Sequence, residues 1–161
     1  MVFLSNDIFF MRMALEQACK AQEKNEVPIG AIVVDAQEKV LGKGYNLTQT
    51  YYGQNNHAEI RAIAQAGRKI QDWRLDDCTL YVTLQPCLMC MSLIGLSRIK
   101  RLVYGAPSPL FGYHLDKEGL PDLYKKHIKG ITSGILAQEA QLLLKNFFKN
   151  KRNNREQLSS Y

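Results

Sequence analysis

The chain is short of the residues that would place it outside the cell or in a membrane. It has only four cysteines among 161 residues. No basic segment followed by an apolar run opens it, so we expect neither a secretory signal nor disulfides. No apolar stretch approaches the roughly 20 residues that a membrane span requires. These absences favour a reduced, cytoplasmic protein with no membrane association.

Acidic residues are scarce towards the C-terminus. From Pro121 onward, eight lysines and arginines stand against three acidic residues, a net charge of +5, and the whole chain carries +6. A basic segment suits a polyanionic partner such as nucleic acid, but a solvated helix face has the same pattern. Charge alone therefore leaves both interpretations open.

The apolar pattern alternates between helical and strand spacing, and the chain is 46% hydrophobic, enough for a normal core. The spacing predicts helices over residues 7–24, 58–69, 87–97 and 136–151, and strands over 29–35, 40–46, 78–84, 100–104 and 129–133. The predicted fold class is α/β, a single three-layer α/β/α domain over residues 1–152. Its central mixed five-stranded sheet has helices on both faces. A polar, frayed tail is expected over residues 153–161.

Two short clusters carry the residues that could do chemistry: His57-Ala58-Glu59, and Pro86-Cys87-Leu88-Met89-Cys90. Cys87 and Cys90 are three residues apart, which puts both sulfurs on one face of a helical turn. With His57 they offer three soft or borderline ligands. Three protein ligands leave a tetrahedral zinc with one open position, which is the catalytic pattern rather than the structural one.

The placement of the clusters supports a catalytic role. Both open predicted helices, and the positive end of a helix dipole favours the thiolate that binds metal. Zinc lowers the pKa of its bound water towards neutrality, and a carboxylate beside that water can move protons to a ring nitrogen and a leaving amine. Glu59 lies two residues after His57 and cannot point the same way on a helix, which leaves it free for proton transfer.

A Cys-x-x-Cys pair by itself is compatible with other sites, because structural zinc and redox sites share it. A structural site would usually show a fourth ligand. We interpret Cys78 as a small core residue, and His114 and His127 as surface or loop side chains. A redox role leaves His57 and Glu59 without a purpose. The pairing of His-x-Glu with Pro-Cys-x-x-Cys is the known signature of zinc-dependent nucleobase deaminases.

Further segments extend the similarity over about residues 5–152. They are Glu26-Val27-Pro28-Ile29-Gly30-Ala31, Gly44-Tyr45-Asn46, Tyr104-Gly105-Ala106, Gly134-Ile135-Leu136, and Phe147-Phe148 with Lys151-Arg152. Together with the two clusters, they resemble the cytidine/deoxycytidylate deaminase superfamily. Within it, the chain is most similar to the bacterial deaminases that act on adenosine in tRNA.

The resemblance implies a cytidine-deaminase-like fold, one Zn²⁺ per subunit, and hydrolytic conversion of adenosine to inosine at the wobble position of a tRNA anticodon. It implies that His57, Cys87 and Cys90 bind the zinc and that Glu59 is the proton shuttle. It also implies a homodimer, with the basic final helix meeting phosphates of the anticodon stem-loop. The expected substrate-binding residues are Asn46, Ala58, Pro86 and Ser108.

Two segments depart from the family pattern, at three positions. In the run Pro107-Ser108-Pro109-Leu110-Phe111-Gly112, an acid and a base that are usual in the family are replaced by Ser108 and Leu110. Gln85 stands where the family often has glutamate. Both changes bear on substrate contacts rather than on the zinc ligands or Glu59.

Two other functions stay open. The chain could deaminate a free base or nucleotide such as guanine, cytosine or dCMP, although a small-molecule enzyme has no need of the basic C-terminal helix. It could also be a non-catalytic, zinc-stabilised RNA-binding partner, although such a protein would most naturally lack the carboxylate of Glu59.

Overall fold

A computed structural model describes residues 5–114 and 120–158 of the chain. In that part of the chain the helices are α1 (Ser5–Glu23), α2 (Ala58–Ile70), α3 (Leu88–Leu96), α4 (Asp122–Lys125) and α5 (Ala137–Leu158). The strands are β1 (Gly30–Val34), β2 (Val40–Tyr45), β3 (Thr79–Leu84), β4 (Arg101–Ala106) and β5 (Gly130–Ser133). A short 3-10 turn, Gln54–Asn56, precedes α2.

The strands form one mixed sheet in the order β2-β1-β3-β4-β5. β1 is antiparallel to both β2 and β3, whereas β4 is parallel to both β3 and β5. A tight turn after Asp35 joins β1 to β2, where the polar sequence indicated a hairpin. The predicted five-stranded sheet, parallel in its second half, is therefore confirmed.

Alternate side chains of the central strands pack against helices on opposite faces. Ala31 and Val33 of β1 belong to the core under α2 and α3, whereas Ile32 and Val34 belong to the core under α1. This period of two is expected for a strand that is covered on both faces. α5 packs on β3, β4 and α1, so it lies on the α1 face of the sheet. The predicted three-layer arrangement is confirmed.

Two glycines in β2 let α2 approach the sheet closely. A Cβ atom at Gly42 would overlap the carbonyl oxygen of Ala62, and one at Gly44 would overlap that of Ala58. A glycine inside a strand often marks a bulge or a close approach of other backbone. The structure shows both: besides this close approach, the β1–β2 register shifts beside Gly42, because β2 has one extra residue, Leu41, opposite Val33 and Val34. The first turn of α2 is thereby fixed against the end of the sheet.

Two segments differ from the expectation drawn from the sequence. α4 was not predicted, because four residues are too few to show a helical period. α5 continues through the polar residues 153–158, which were expected in a frayed tail. The expected tail residues 159–161 and part of the long connection, residues 115–119, lie outside the described residues. Among the described helices, none is both long and apolar enough to cross a membrane.

Candidate active site

The candidate residues lie at one edge of the sheet. β3 and β4 both end there, and β1, which is antiparallel to β3, begins there beside the end of β2. A cavity of about 470 Å³ opens at this edge, and we call it the site cavity. It is lined by Ile29, Asn46, Gln54, His57, Ala58, Glu59, Leu84, Gln85, Cys87, Met89, Ser108 and Phe111.

Three potential metal ligands meet at the site cavity. His57 directly precedes α2, Cys87 directly precedes α3, and Cys90 lies in the first turn of α3. His57 Nδ1 lies 3.4 Å from Cys90 Sγ and 3.9 Å from Cys87 Sγ. With Zn–N and Zn–S bonds of about 2.0 and 2.3 Å, a tetrahedral zinc separates the nitrogen from each sulfur by about 3.5 Å. The donor set and its spacing therefore fit zinc and leave one coordination position open.

Gln54 orients the imidazole, a role that sequence reasoning missed. His57 Nε2 lies 3.1 Å from Gln54 Oε1. If the ring proton sits on Nε2 and is donated to this oxygen, Nδ1 keeps its lone pair towards the two sulfurs. Metal-binding histidines usually donate their second ring nitrogen in this way. The 3-10 turn places Gln54 three residues before the ligand, in a polar segment that has no periodic signal.

The two thiols differ in ionisation. The Cys90 thiol donates to Cys87 Sγ and His57 lies beside it, so the pKa of Cys87 falls to about 4. The same hydrogen bond, with burial and the nearby carboxylate of Glu59, raises the pKa of Cys90. Contact with Cys87 raises the pKa of His57. One thiolate is thus ready for a cation, and binding of the cation displaces the proton of the other thiol.

Glu59 is buried in the wall of the site cavity. Glu59 is only 4% exposed, and this burial raises the pKa of its carboxyl group above the usual range. A carboxyl group whose pKa is raised towards neutrality can both accept and donate a proton, as general acid–base catalysis requires. The predicted proton shuttle therefore has an environment that suits the role.

Three of the four expected substrate-binding residues, Asn46, Ala58 and Ser108, line the site cavity. The Asn46 amide lies 3.5 Å from the buried carboxylate of Glu26 and 3.4 Å from the carbonyl of Val27. Pro86 does not line the cavity. It is buried, and its carbonyl accepts a hydrogen bond of 2.9 Å from the Tyr113 backbone.

Comparison with known proteins agrees with this geometry. Residues 4–106 match the model of the cytidine and deoxycytidylate deaminase zinc-binding region. The chain belongs to this deaminase family.

Two relatives and one solved structure are similar over most of the chain. The tRNA-specific adenosine deaminase of Buchnera aphidicola (Schizaphis graminum) is 46% identical over 92% of this chain and 97% of its own length. The tRNA-specific adenosine deaminase of Haemophilus influenzae is 43% identical over 88% of this chain and 83% of its own length. A structure from a study of A-to-I editing by tRNA:A34 deaminases has a TM-score of 0.74 and 35% identity, covering 84% of this chain and 99% of its own.

Membership of this deaminase family makes zinc the cofactor and the protein a hydrolytic enzyme, as predicted. In the part of the chain that the structure describes, one group of three side chains could hold a metal ion, and it is His57, Cys87 and Cys90. Of the other two cysteines, Cys78 is buried and burial raises its pKa to about 11, as suits a core residue.

Gln85 holds the loop that forms one wall of the site cavity. Its Oε1 accepts a hydrogen bond of 3.0 Å from the Ser108 backbone, and its Nε2 lies 3.2 Å from His114 Nε2. Gln85 and Ser108, two of the three positions that depart from the family pattern, are therefore in direct contact. His114 was interpreted as a surface or loop residue. It is exposed, but it also takes part in this contact.

A second cavity, of about 610 Å³, lies beside the C-terminal helix, and we call it the basic cleft. Its cations are Lys24 of the α1 end and Lys151 and Arg152 of α5, and the rings of Phe147 and Phe148 line it as well. Gln49 and Thr50 also line it, and their backbone amides donate to the Glu26 carboxylate. Since that carboxylate also contacts Asn46, the basic cleft and the site cavity share one support.

Proposed function

We propose that this protein is a tRNA-specific adenosine deaminase that hydrolyses the wobble adenosine of an anticodon to inosine. The observation that carries the proposal is the meeting of His57 Nδ1 and the two thiols at the wall of one cavity that buried Glu59 also lines. The relatives named tRNA-specific adenosine deaminase cover most of the chain and support the substrate.

The basic cleft supports a polynucleotide rather than a free base. A free base carries no phosphate and has no use for three cations beside two phenylalanines. A single-stranded RNA loop has both phosphates and unstacked bases, which basic and aromatic side chains bind. An anticodon loop also presents its bases without the need to open a duplex.

The proposed chemistry assigns proton transfer to Glu59. Its carboxylate accepts a proton from the attacking water and delivers it to N1 of adenine as the C6–O bond forms. Glu59 then takes the second proton of that water from the hydroxyl on C6 and passes it to the amine, which leaves C6 as ammonia, so that adenosine and water give inosine and ammonia. Bound zinc, held by His57, Cys87 and Cys90, supplies an activated water at neutral pH.

Asn46 and the Gln85-held loop orient the base in this proposal. Asn46 offers an amide at the end of β2, and Ser108 and Phe111 approach from the loop after β4. Both supports are anchored to buried polar groups, which limits their movement. A base held between rigid walls keeps C6 at the reacting position, which is a large part of what an enzyme contributes.

We further propose a homodimer that works in the cytoplasm on tRNA. A groove of about 700 Å³ runs between α2 and α3, and it includes Ile60, Leu93 and the half-exposed ring of Trp73. Leu96 of α3 is also exposed. Exposed apolar faces of this kind mark protein interfaces. Leu96→Glu should therefore produce a monomer in sedimentation analysis, and a dimer unchanged by it would refute this interface.

The deciding experiment measures inosine formation together with zinc content. An anticodon stem-loop with adenosine at the wobble position is incubated with the zinc-loaded protein, and guanine, cytosine and dCMP are assayed in parallel. We expect inosine in the RNA, and none when the wobble adenosine is replaced by guanosine. Ammonia release from a free base, with the RNA untouched, would refute the proposal. Zinc-loaded protein that binds RNA without turnover would favour the non-catalytic alternative.

A further inference from the structure

Three cations surround a third cavity, which we call the cationic pocket. It has a volume of about 320 Å³, and its polar lining comprises Lys43, Arg61, Arg68, Asn55, Asn56 and Gln65. Among the residues that the structure describes, no acidic residue lines it. Among the ion pairs of the described residues, none involves these three cations. Uncompensated positive charge in a concave site attracts anions.

Arg61 is held in place before any ligand arrives. Its guanidinium carbon lies 5.7 Å from the ring centre of Tyr45 and 5.6 Å from that of Tyr51. Its Nε atom is buried and has no hydrogen-bond partner in the structure. A buried donor without a partner costs free energy, which a ligand oxygen would recover. The two rings reduce the conformational freedom that binding would otherwise remove.

The cationic pocket adjoins the active site. The Arg61 backbone amide donates to the carbonyl of His57 at 3.1 Å, one helical turn after the zinc ligand. Asn55 and Asn56 stand between Gln54 and His57, which line the site cavity. An anion bound there would lie close to the nucleotide whose base enters the site cavity.

We propose that the cationic pocket binds a backbone phosphate of the RNA substrate. The inference rests on the proposed function and adds a specific anchor for the strand. An arginine fork, a lysine and side-chain amides are the groups that proteins use on phosphate oxygens. The basic cleft and the cationic pocket then hold the strand at separate points, with the site cavity linked to both.

A salt titration of RNA affinity tests this. Zinc-loaded Arg68→Gln and Lys43→Gln variants, both at exposed positions, should bind the anticodon stem-loop more weakly. Their slope of log affinity against log salt should fall by about 1 each, because each loses one phosphate contact. Arg61→Gln should show the same loss. Lys39→Gln, an exposed lysine of the β1–β2 hairpin, is the matched control and should keep the wild-type slope.

Replacing single phosphates of the RNA by uncharged linkages identifies the phosphate that the cationic pocket contacts. Single methylphosphonates are placed along the loop of the RNA, and one position should weaken binding by wild-type protein but not by Arg68→Gln. Unchanged salt slopes in the pocket variants, while wild-type protein still forms inosine, would overturn the phosphate site alone. If wild-type protein forms no inosine in RNA, the proposed function fails instead. If the variants shift the monomer–dimer equilibrium and leave RNA affinity unchanged, the pocket meets acids of a second copy and the proposal is wrong.

Discussion

The side-chain amide of Gln85 occupies the space that a side chain at Gly112 would need. A Cβ atom at Gly112 would overlap Gln85 Oε1 and Cδ, and also the carbonyl oxygen of Ser108. That carbonyl accepts a hydrogen bond of 2.8 Å from the Gly112 backbone, and Gln85 accepts one from the Ser108 backbone. Gln85, Ser108 and Gly112 are therefore in mutual contact, and this contact fixes the position of the 107–112 loop beside the site cavity.

Gly112→Ala should displace this loop. The added methyl group must push aside either a buried amide or the Ser108 carbonyl, and Ser108 and Phe111 then leave their places at the cavity. We expect KM for the stem-loop to rise, with zinc content and the unfolding transition nearly unchanged. Gly130→Ala is the control, because a Cβ atom at Gly130 meets nothing within 4 Å. Equal kinetics of the two variants would show that the loop does not touch the substrate.

Glu59→Gln separates chemistry from metal binding. The amide keeps the size of the side chain but cannot accept the proton of water, so kcat should fall by about 10²–10⁴-fold, the usual contribution of a general acid–base. Zinc stoichiometry and RNA affinity should be retained, since Glu59 is not a predicted ligand. His57→Ala is the contrasting variant and should lose the metal itself. Glu59→Gln with wild-type kcat would remove Glu59 from the mechanism.

The three side chains that could hold a metal ion were predictable as a group because their signal is local. Ligand type, the three-residue spacing of Cys87 and Cys90, and the start of a helix can all be seen in a few neighbouring residues. Gln54 and Gln85 were not predictable as supports, because their roles depend on where the folded chain returns. Gln85 and Ser108 are 23 residues apart, and no spacing rule connects a strand end to a distant loop.

The fold shows the same division. Apolar runs marked all five strands and the four long helices, because burial selects for those runs. The polar end of α5 gave no such signal: once Phe147 is buried, the helix can continue on hydrogen bonds within its own backbone. Thus the part of α5 beyond its buried residues rests on backbone hydrogen bonds and leaves no apolar pattern to recognise.

Gln54→Ala tests the support of the zinc ligand. Without Gln54 Oε1, the His57 ring loses the acceptor that fixes its tautomer, and metal affinity should fall by about 10–100-fold, as is usual for such partners. Competition with a zinc-binding chromophore measures the change. Gln37→Ala, at an exposed glutamine of the β1–β2 hairpin, is the control. Undiminished zinc affinity of Gln54→Ala would mean that the cysteines alone orient the site.

The buried carboxylate of Asp7 ties α1 to the sheet, and it predicts how stability depends on pH. It accepts two hydrogen bonds of 2.7 Å from Arg101 and one of 2.9 Å from Tyr81. The Arg101 contact lowers the pKa of Asp7, so the stabilisation by its carboxylate is complete above the unfolded-state pKa and is lost as pH falls through the folded-state pKa.

Asp7→Asn should cost about 1–3 kcal/mol of unfolding free energy at pH 7, since Arg101 is partly exposed. In urea unfolding of the zinc-loaded protein, this difference should shrink as the solution is acidified below the usual aspartate pKa. Glu38→Gln, at an exposed carboxylate, should show no comparable loss, and a pH-independent cost of Asp7→Asn would exclude ionisation as its cause.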